Sequence, residues 1–157
     1  MEMTGEYRIP APREEVWRAL NDPDVLKECI PGCEELEKIS DTEFTAKVKL
    51  KVGPVSARFT GAVTLEDLKP PESYSIVGEG KGGAAGFAKG GAKVMLEDDA
   101  GVTVLRYEAE AKVGGKLAQI GSRLIAGTAR KLADKFFSAF AETVAPGSTA
   151  EADAADA

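Results

Sequence analysis

Residues 116–141 read KLAQIGSRLIAGTARKLADKFFSAFA, and the reading of this stretch decides the fold. No other long segment sustains a helical period. At helical spacing Leu117, Ile120, Gly121, Leu124, Ile125, Thr128, Leu132, Phe136 and Phe140 fall along one stripe. Gln119, Arg123, Arg130 and Asp134 fall opposite. The spacing predicts one amphipathic helix that must lay its apolar stripe on another element. Gly121 and Thr128 occupy stripe positions where a core helix would carry Leu or Ile. Their small size leaves room for a close backbone approach or for a ligand.

What the helix covers stands before it in the chain. Residues 3–9 alternate apolar and polar, the mark of a half-buried strand. Two short helices follow, the first opening at Pro12, the second with Asp22 as N-cap and Pro23 in its first turn. A short strand is expected at 36–39. Residues 44–52 and 55–65 alternate strictly about Gly53-Pro54 and predict a hairpin. Further strands are expected at 73–81, 92–97 and 103–113. An antiparallel sheet with one wet face must cover the other, and only the C-terminal helix is long enough to do so. The expected architecture is α+β, a curved sheet gripping a helix. Residues 1–142 form the domain. Residues 143–157, small and acidic, are expected to be a disordered tail.

Composition narrows the function. A chain of 157 residues can bury a real core as one domain. Its net charge of -6 argues against nucleic-acid binding, which wants a basic footprint. There is no His, so the commonest general base and metal ligand is missing. Cys29 and Cys33, the two cysteines, lack the companions for a metal site and the C-x-x-C spacing of a redox pair. They read as small buried thiols, and neither a metal nor a covalent cofactor is expected. The first ten residues show no apolar run of the secretory type, and no stretch reaches bilayer-spanning length. A cytoplasmic protein is expected, with any membrane contact peripheral.

Few residues offer chemistry. Gly78 to Gly83 matches G-x-G-x-x-G, but it lies among antiparallel strands with no helix after it, so a dinucleotide site is not expected. Gly82, Gly86 and Gly90 surround a lone Phe87; the segment reads either as a strand edge and hairpin, where glycines permit bulges or close backbone approach, or as a flexible flap at a cavity mouth. Tyr7, Tyr74 and Tyr107 fall on inward strand phases and suit ligand positioning or core hydrogen bonds better than acid–base work. The helix's outer face is basic through Lys116, Arg123, Arg130, Lys131 and Lys135, and Phe137 falls on that side. Arg130, Lys131 and Phe137 are the expected contacts with an anionic membrane or an acidic partner.

Five pieces occur in an order that carries a resemblance: MEMTGEYRIPAPREEVWRALNDPDVLKECIPGCEEL, VGPVSARFTGAV, GEGKGGAAGFAKGGAKVML, TVLRYEAEAKVGGKLAQIGSRLI and KLADKFFSAF. Together they resemble the CoxG family of carbon monoxide dehydrogenase subunits, within the START-like, polyketide-cyclase-like (SRPBCC) superfamily. The resemblance implies a helix-grip fold: a curved antiparallel sheet of about seven strands around a long C-terminal helix, with two short helices after strand 1. It implies a cavity for a hydrophobic ligand, a quinone such as menaquinone or ubiquinone. It implies an accessory role beside molybdenum hydroxylase subunits of the carbon monoxide dehydrogenase type, at or near the membrane. Family members with a longer C-terminal extension bind membranes through it; the short acidic tail here shifts the expectation toward cavity binding or partner docking. By strand and helix phase, the expected lining is Phe59, Tyr107, Leu117, Ile120, Gly121 and Leu124, with Phe87 at the mouth. The expectation is a non-catalytic binding protein. The alternatives are a small cyclase- or hydrolase-type enzyme of the same superfamily, or an assembly factor without a cavity.

Overall fold

The computed structural model describes residues 1–146 and the backbone of Glu151–Ala152. Strand β1 (Glu2–Ile9) leads into helices α1 (Arg13–Leu20) and α2 (Pro23–Cys29). Strands β2 (Cys33–Lys38), β3 (Glu43–Val52), β4 (Val55–Lys69), β5 (Ser73–Lys81), β6 (Phe87–Asp99) and β7 (Val102–Gly114) follow, then helices α3 (Lys116–Ile120) and α4 (Ser122–Val144). The sheet order is β2-β3-β4-β5-β6-β7-β1, and every pairing is antiparallel. Glu151–Ala152 adds a two-residue strand, β8, on the outer edge of β1. This is the helix-grip arrangement, with α4 lying across the sheet's inner face.

Local chemistry explains the elements. Asp22 caps α2 by accepting from the Asp24 amide at 2.9 Å, with Pro23 in the first turn. Pro12 stands at the N-cap of α1, one place before the helical residues. Gly53, at φ +57, turns β3 into β4 so that Val52 pairs with Val55. That register carries Phe44, Val48, Leu50, Phe59 and Val63 to one face.

The core occupies the half of the sheet beneath α1 and α2. Phe140, Ile9 and Val16 are fully buried there, beside Leu105, Phe44, Leu65 and Leu96. Each such side chain contributes about 1.5–3 kcal/mol by leaving water. Thr103, buried among them, donates to the Ala11 carbonyl at 2.7 Å. Cys29 closes the α2–α4 contact, its Sγ 3.7 Å from the Thr143 hydroxyl, and burial raises its thiol pKa. Cys33 is half-buried, its Sγ donating to the Glu35 carbonyl at 3.4 Å, and both cysteines are free thiols.

Three expectations need correction. The helix is not continuous: Gly121, at φ +101 and ψ 144, breaks it into α3 and α4. The break resets the helical phase, so Ile120 of α3 does not continue the stripe of Ile125 and Phe136 on α4. Leu124 is on α4 itself but points about 100° round from Ile125. The Gly-rich segment is a strand edge and hairpin, the first of its two readings, and not a loose flap. Its residues extend β5 and β6, joined by one 3-10 turn at Gly83–Ala85. A residue without a side chain still supplies both ladder groups, and here Gly78 pairs with Gly90 and Gly80 with Ala88. Finally, α4 runs to Val144, two residues past the expected domain limit of 142. Of the tail expected to be disordered, residues 147–150 and 153–157 lie outside the described residues.

Candidate functional site

The other half of the sheet, toward the β3–β4 hairpin, does not meet α4 closely. Its inner face is short of side chains. Gly61 of β4 pairs with Gly80 of β5, Gly80 pairs with Ala88 of β6, and Ala111 of β7 lies beside Gly90. A Cβ added at Gly80 would meet no atom within 4 Å. Opposite this floor, α4 presents Thr128, Ala129 and Ala133, again small. The result is a cavity of about 530 Å³ between sheet and helix. Val48, Leu50, Val52 and Phe59 wall one side, Ala111 and Val113 another, and Ile125, Leu132 and Phe136 the roof. Met1, Ile30 and Pro31 complete it, and Leu117 reaches in from α3.

The lining holds no titratable side chain, and Thr128 supplies its one side-chain hydroxyl. Its side chains are almost wholly apolar. It can desolvate an apolar molecule, which is favourable by about 25 cal/mol per Å² removed from water. A wider depression of about 730 Å³ lies on the sheet's outer face, rimmed by Glu79, Lys89, Glu110 and Lys112. Its lining is charged and more polar, so it offers an apolar ligand less desolvation, and the inner cavity is the candidate site.

The residues expected at the site separate into groups. Phe59 and Leu117 line the cavity. Phe59 lies beneath Gly82, whose missing side chain makes space for its ring. Tyr107 does not line it. It is buried in the core, stacked with Phe137 at 6.1 Å and Tyr7 at 6.3 Å, and its ring fills the space left by Gly5. Ile120, Gly121 and Leu124 border another groove of about 410 Å³ at the α3–α4 break, with Arg123, Lys131 and Thr128, the last shared with the cavity. Leu124 and Ile120 close there over Gly53, at the tip of the hairpin. Phe87 has the outward phase of β6, is 44% exposed and lies beside Gly114, away from the cavity.

The expected membrane contacts also change. Phe137 is not on the outside of the helix. It stacks on Tyr7 at 4.3 Å, because β1 curls round and covers a second helix face. On that face the Tyr7 hydroxyl donates to Asp134, and Arg130 donates to the Thr4 carbonyl at 2.9 Å. Burial, then the bond to Asp134, raise the Tyr7 pKa well above the ordinary tyrosine value. Lys131 alone of the three remains at an open groove. The sequence pattern does not single out the glycines and alanines of the cavity floor. Their signal is present as small residues at inward strand phases, but their adjacency depends on strand register.

This architecture and this cavity can be set beside known proteins. A family model described as the G subunit of carbon monoxide dehydrogenase (CoxG) matches residues 5–145. The chain belongs to the CoxG family. A conserved protein from Geobacillus kaustophilus has the same fold at TM-score 0.88 and 31% identity, over 96% of this chain and 99% of that one. TTHA0849 from Thermus thermophilus superposes at TM-score 0.70 with 16% identity, over 95% and 100% of the two chains. The Zhui aromatase/cyclase from Streptomyces sp. R1128 does so at 0.64 with 13% identity, over 92% and 93%. The last two show the fold alone. No curated protein sequence matches the chain. CoxG membership supports an accessory role. No helix among the described residues is long and apolar enough to cross a membrane.

Proposed function

We propose that this CoxG-family chain binds an isoprenoid quinone, menaquinone or ubiquinone, as an accessory protein of a molybdenum hydroxylase of the carbon monoxide dehydrogenase type. It does no chemistry of its own. It works on the cytoplasmic side of the cell membrane and aids membrane recruitment of the enzyme or transfer of its electrons. The observation that carries this reading is the cavity between α4 and the Gly/Ala floor, apolar and without a titratable side chain. At about 530 Å³ it falls among small-molecule sites, which span about 300–1,000 Å³. It has room for a quinone ring and the first part of a tail. An assembly factor with a filled core would have no reason to keep such a space, and a cyclase or hydrolase would want an acid or base within it.

Charge supports the recruitment half of the proposal. Residues 44–65 and 111–133 contain nine basic residues and no acidic one, in a chain whose net charge is -6. These segments supply the hairpin and the start of α4, which meet where Leu124 covers Gly53. The basic surface thus lies near the cavity and suits an anionic membrane or an acidic partner.

The test is thermal unfolding with a short-chain ubiquinone in excess. Ligand at a hundred times its Kd adds about 2.7 kcal/mol, or roughly 5–10 °C in a domain of this size. Unfolding unmoved by both ubiquinone and menaquinone analogues would overturn the reading.

A further inference from the structure

We propose that Thr128 determines the specificity of the cavity, its hydroxyl donating a hydrogen bond to a ring carbonyl of a flat, otherwise apolar ligand. The inference rests on the reading that the cavity holds a ligand, and it adds what kind. Three observations on the molecule lead to it.

The first is isolation. Thr128 is the one lining residue with a polar side chain, so any directional recognition by a side chain inside the cavity falls to it. The second is an unused hydrogen bond. Among the described residues the Thr128 hydroxyl has no partner, although a helical threonine can bond the carbonyl four residues earlier. Thr143, on the same helix, does so, donating to Ala139 at 2.9 Å. Buried Thr103 is also satisfied, through Ala11. Thr128 is half-buried where the cavity and the outer groove adjoin, and a hydroxyl with no protein partner is available to a ligand oxygen. The third is shape. The floor opposite Thr128 is formed by Gly61, Gly80, Ala88 and Ala111, none with a side chain beyond Cβ. Such a floor accepts the face of a planar ring. No lining side chain carries a charge, and the ammonium of Met1 at the edge donates to the Ala111 carbonyl at 3.0 Å, which favours a neutral ligand.

The hydroxyl rotates and can donate or accept. It therefore serves a carbonyl oxygen directly, and the same position serves a ring hydroxyl by accepting.

The test compares two probes of one shape, 2,3-dimethyl-1,4-naphthoquinone and 2,3-dimethylnaphthalene. They share the bicyclic ring and both methyls and differ in the carbonyls. Binding of each is measured by titration calorimetry to the wild type, to Thr128→Val, which keeps the side-chain shape, and to Thr128→Ser, which keeps the hydroxyl. The expected result is a loss of about tenfold in quinone affinity in Thr128→Val, the scale of one hydrogen bond. Thr128→Ser retains most of the quinone affinity, and the hydrocarbon binds all three proteins alike or prefers Thr128→Val. Equal quinone affinity in wild type and Thr128→Val overturns the assignment while leaving the cavity reading intact. A parallel loss of both probes in Thr128→Val also overturns it, because the residue then acts through shape or folding. If neither probe binds the wild type, the cavity reading fails and the assignment fails with it.

Discussion

Gly80→Val separates a cavity kept open for a ligand from a defect of packing. Gly80 lies on the inner face of β5, and its Cβ position is open for 4 Å in every direction. Its cross-strand neighbours on that face are Gly61 and Ala88, which leave space for a larger residue. Its φ is outside the left-handed region, so a β-branched residue fits the backbone. Replacing a strand glycine gains about 0.5–1 kcal/mol from chain entropy and strand preference. Three added carbons placed in an empty apolar space bring roughly 2 kcal/mol more at about 0.8 kcal/mol each. The variant should therefore be more stable by about 1–3 kcal/mol, once imperfect fit is counted. At about 2–4 °C per kcal/mol this is a rise of several degrees in Tm. Binding moves the other way. A ligand that fills the space must now compete with the isopropyl group, and overpacking of about 1–3 kcal/mol weakens it roughly fivefold to more than a hundredfold. The assays are calorimetric unfolding without ligand and titration with a short-chain quinone. A destabilised variant would show that the space is filled in solution. A stabilised variant that still binds quinone as the wild type does would show that the ligand sits elsewhere.

Three other perturbations test other parts of the account. Gly121→Ala should cost about 1 kcal/mol in urea unfolding, because φ +101 is unfavourable for any L side chain even though the space around it is open; unchanged stability would mean that the α3–α4 break straightens in solution. Phe140→Ala should cost about 3–5 kcal/mol, since the ring is fully buried beside Phe136, and a loss under 1 kcal/mol would place the core elsewhere. Tyr7→Phe keeps the stack on Phe137 but removes the bond to Asp134, a loss of about 1.5–3 kcal/mol at neutral pH. The pH dependence has a definite sign. The folded state holds the Tyr7 proton more tightly than the unfolded chain, whose tyrosines have the ordinary pKa of 10.0. Tyr7's contribution is therefore complete below that pH and is lost progressively above it. Tyr74, whose pKa burial also raises, behaves the same way. Stability against pH should fall less steeply above pH 10 in Tyr7→Phe than in the wild type; parallel curves would contradict the assignment.

Much of the fold is legible in the sequence because strand alternation is a local signal. The strict period of residues 44–65 about Gly53-Pro54 announces both the hairpin and the face that Val48, Leu50 and Phe59 turn inward. The break at Gly121 is not legible. Glycine costs a helix interior only about 1 kcal/mol, and apolar residues continue on both sides of it, so the period alone does not show the reset. A single apolar stripe misplaces Phe137, because β1 wraps far enough round α4 to bury a second face. The Gly-rich stretch can be read as a flap because glycine weakens strand preference; pairing on both sides of β6 outweighs that. The cavity itself is the least local feature. Gly61 and Ala111 are distant in sequence from Gly80 and Ala88, and only register across β4, β5, β6 and β7 makes them one floor. Of the expected lining, Phe59 and Leu117 lie there. Ile120 and Gly121 depend on a helical phase that stops at Gly121, and Leu124 lies on an exposed flank of α4. Phe87 has the outward phase of β6, and Tyr107 has the right strand phase but falls at the core end of the sheet.

The central claim is that the cavity carries a quinone, and solvent extraction tests it most directly. The protein is purified under native conditions from a bacterium that makes menaquinone and ubiquinone. The extract is then analysed by mass spectrometry beside that of Gly80→Val. The account predicts quinone in proportion to the wild-type protein and a severalfold smaller amount from the variant. An extract without quinone, or equal quinone from both proteins, would contradict it.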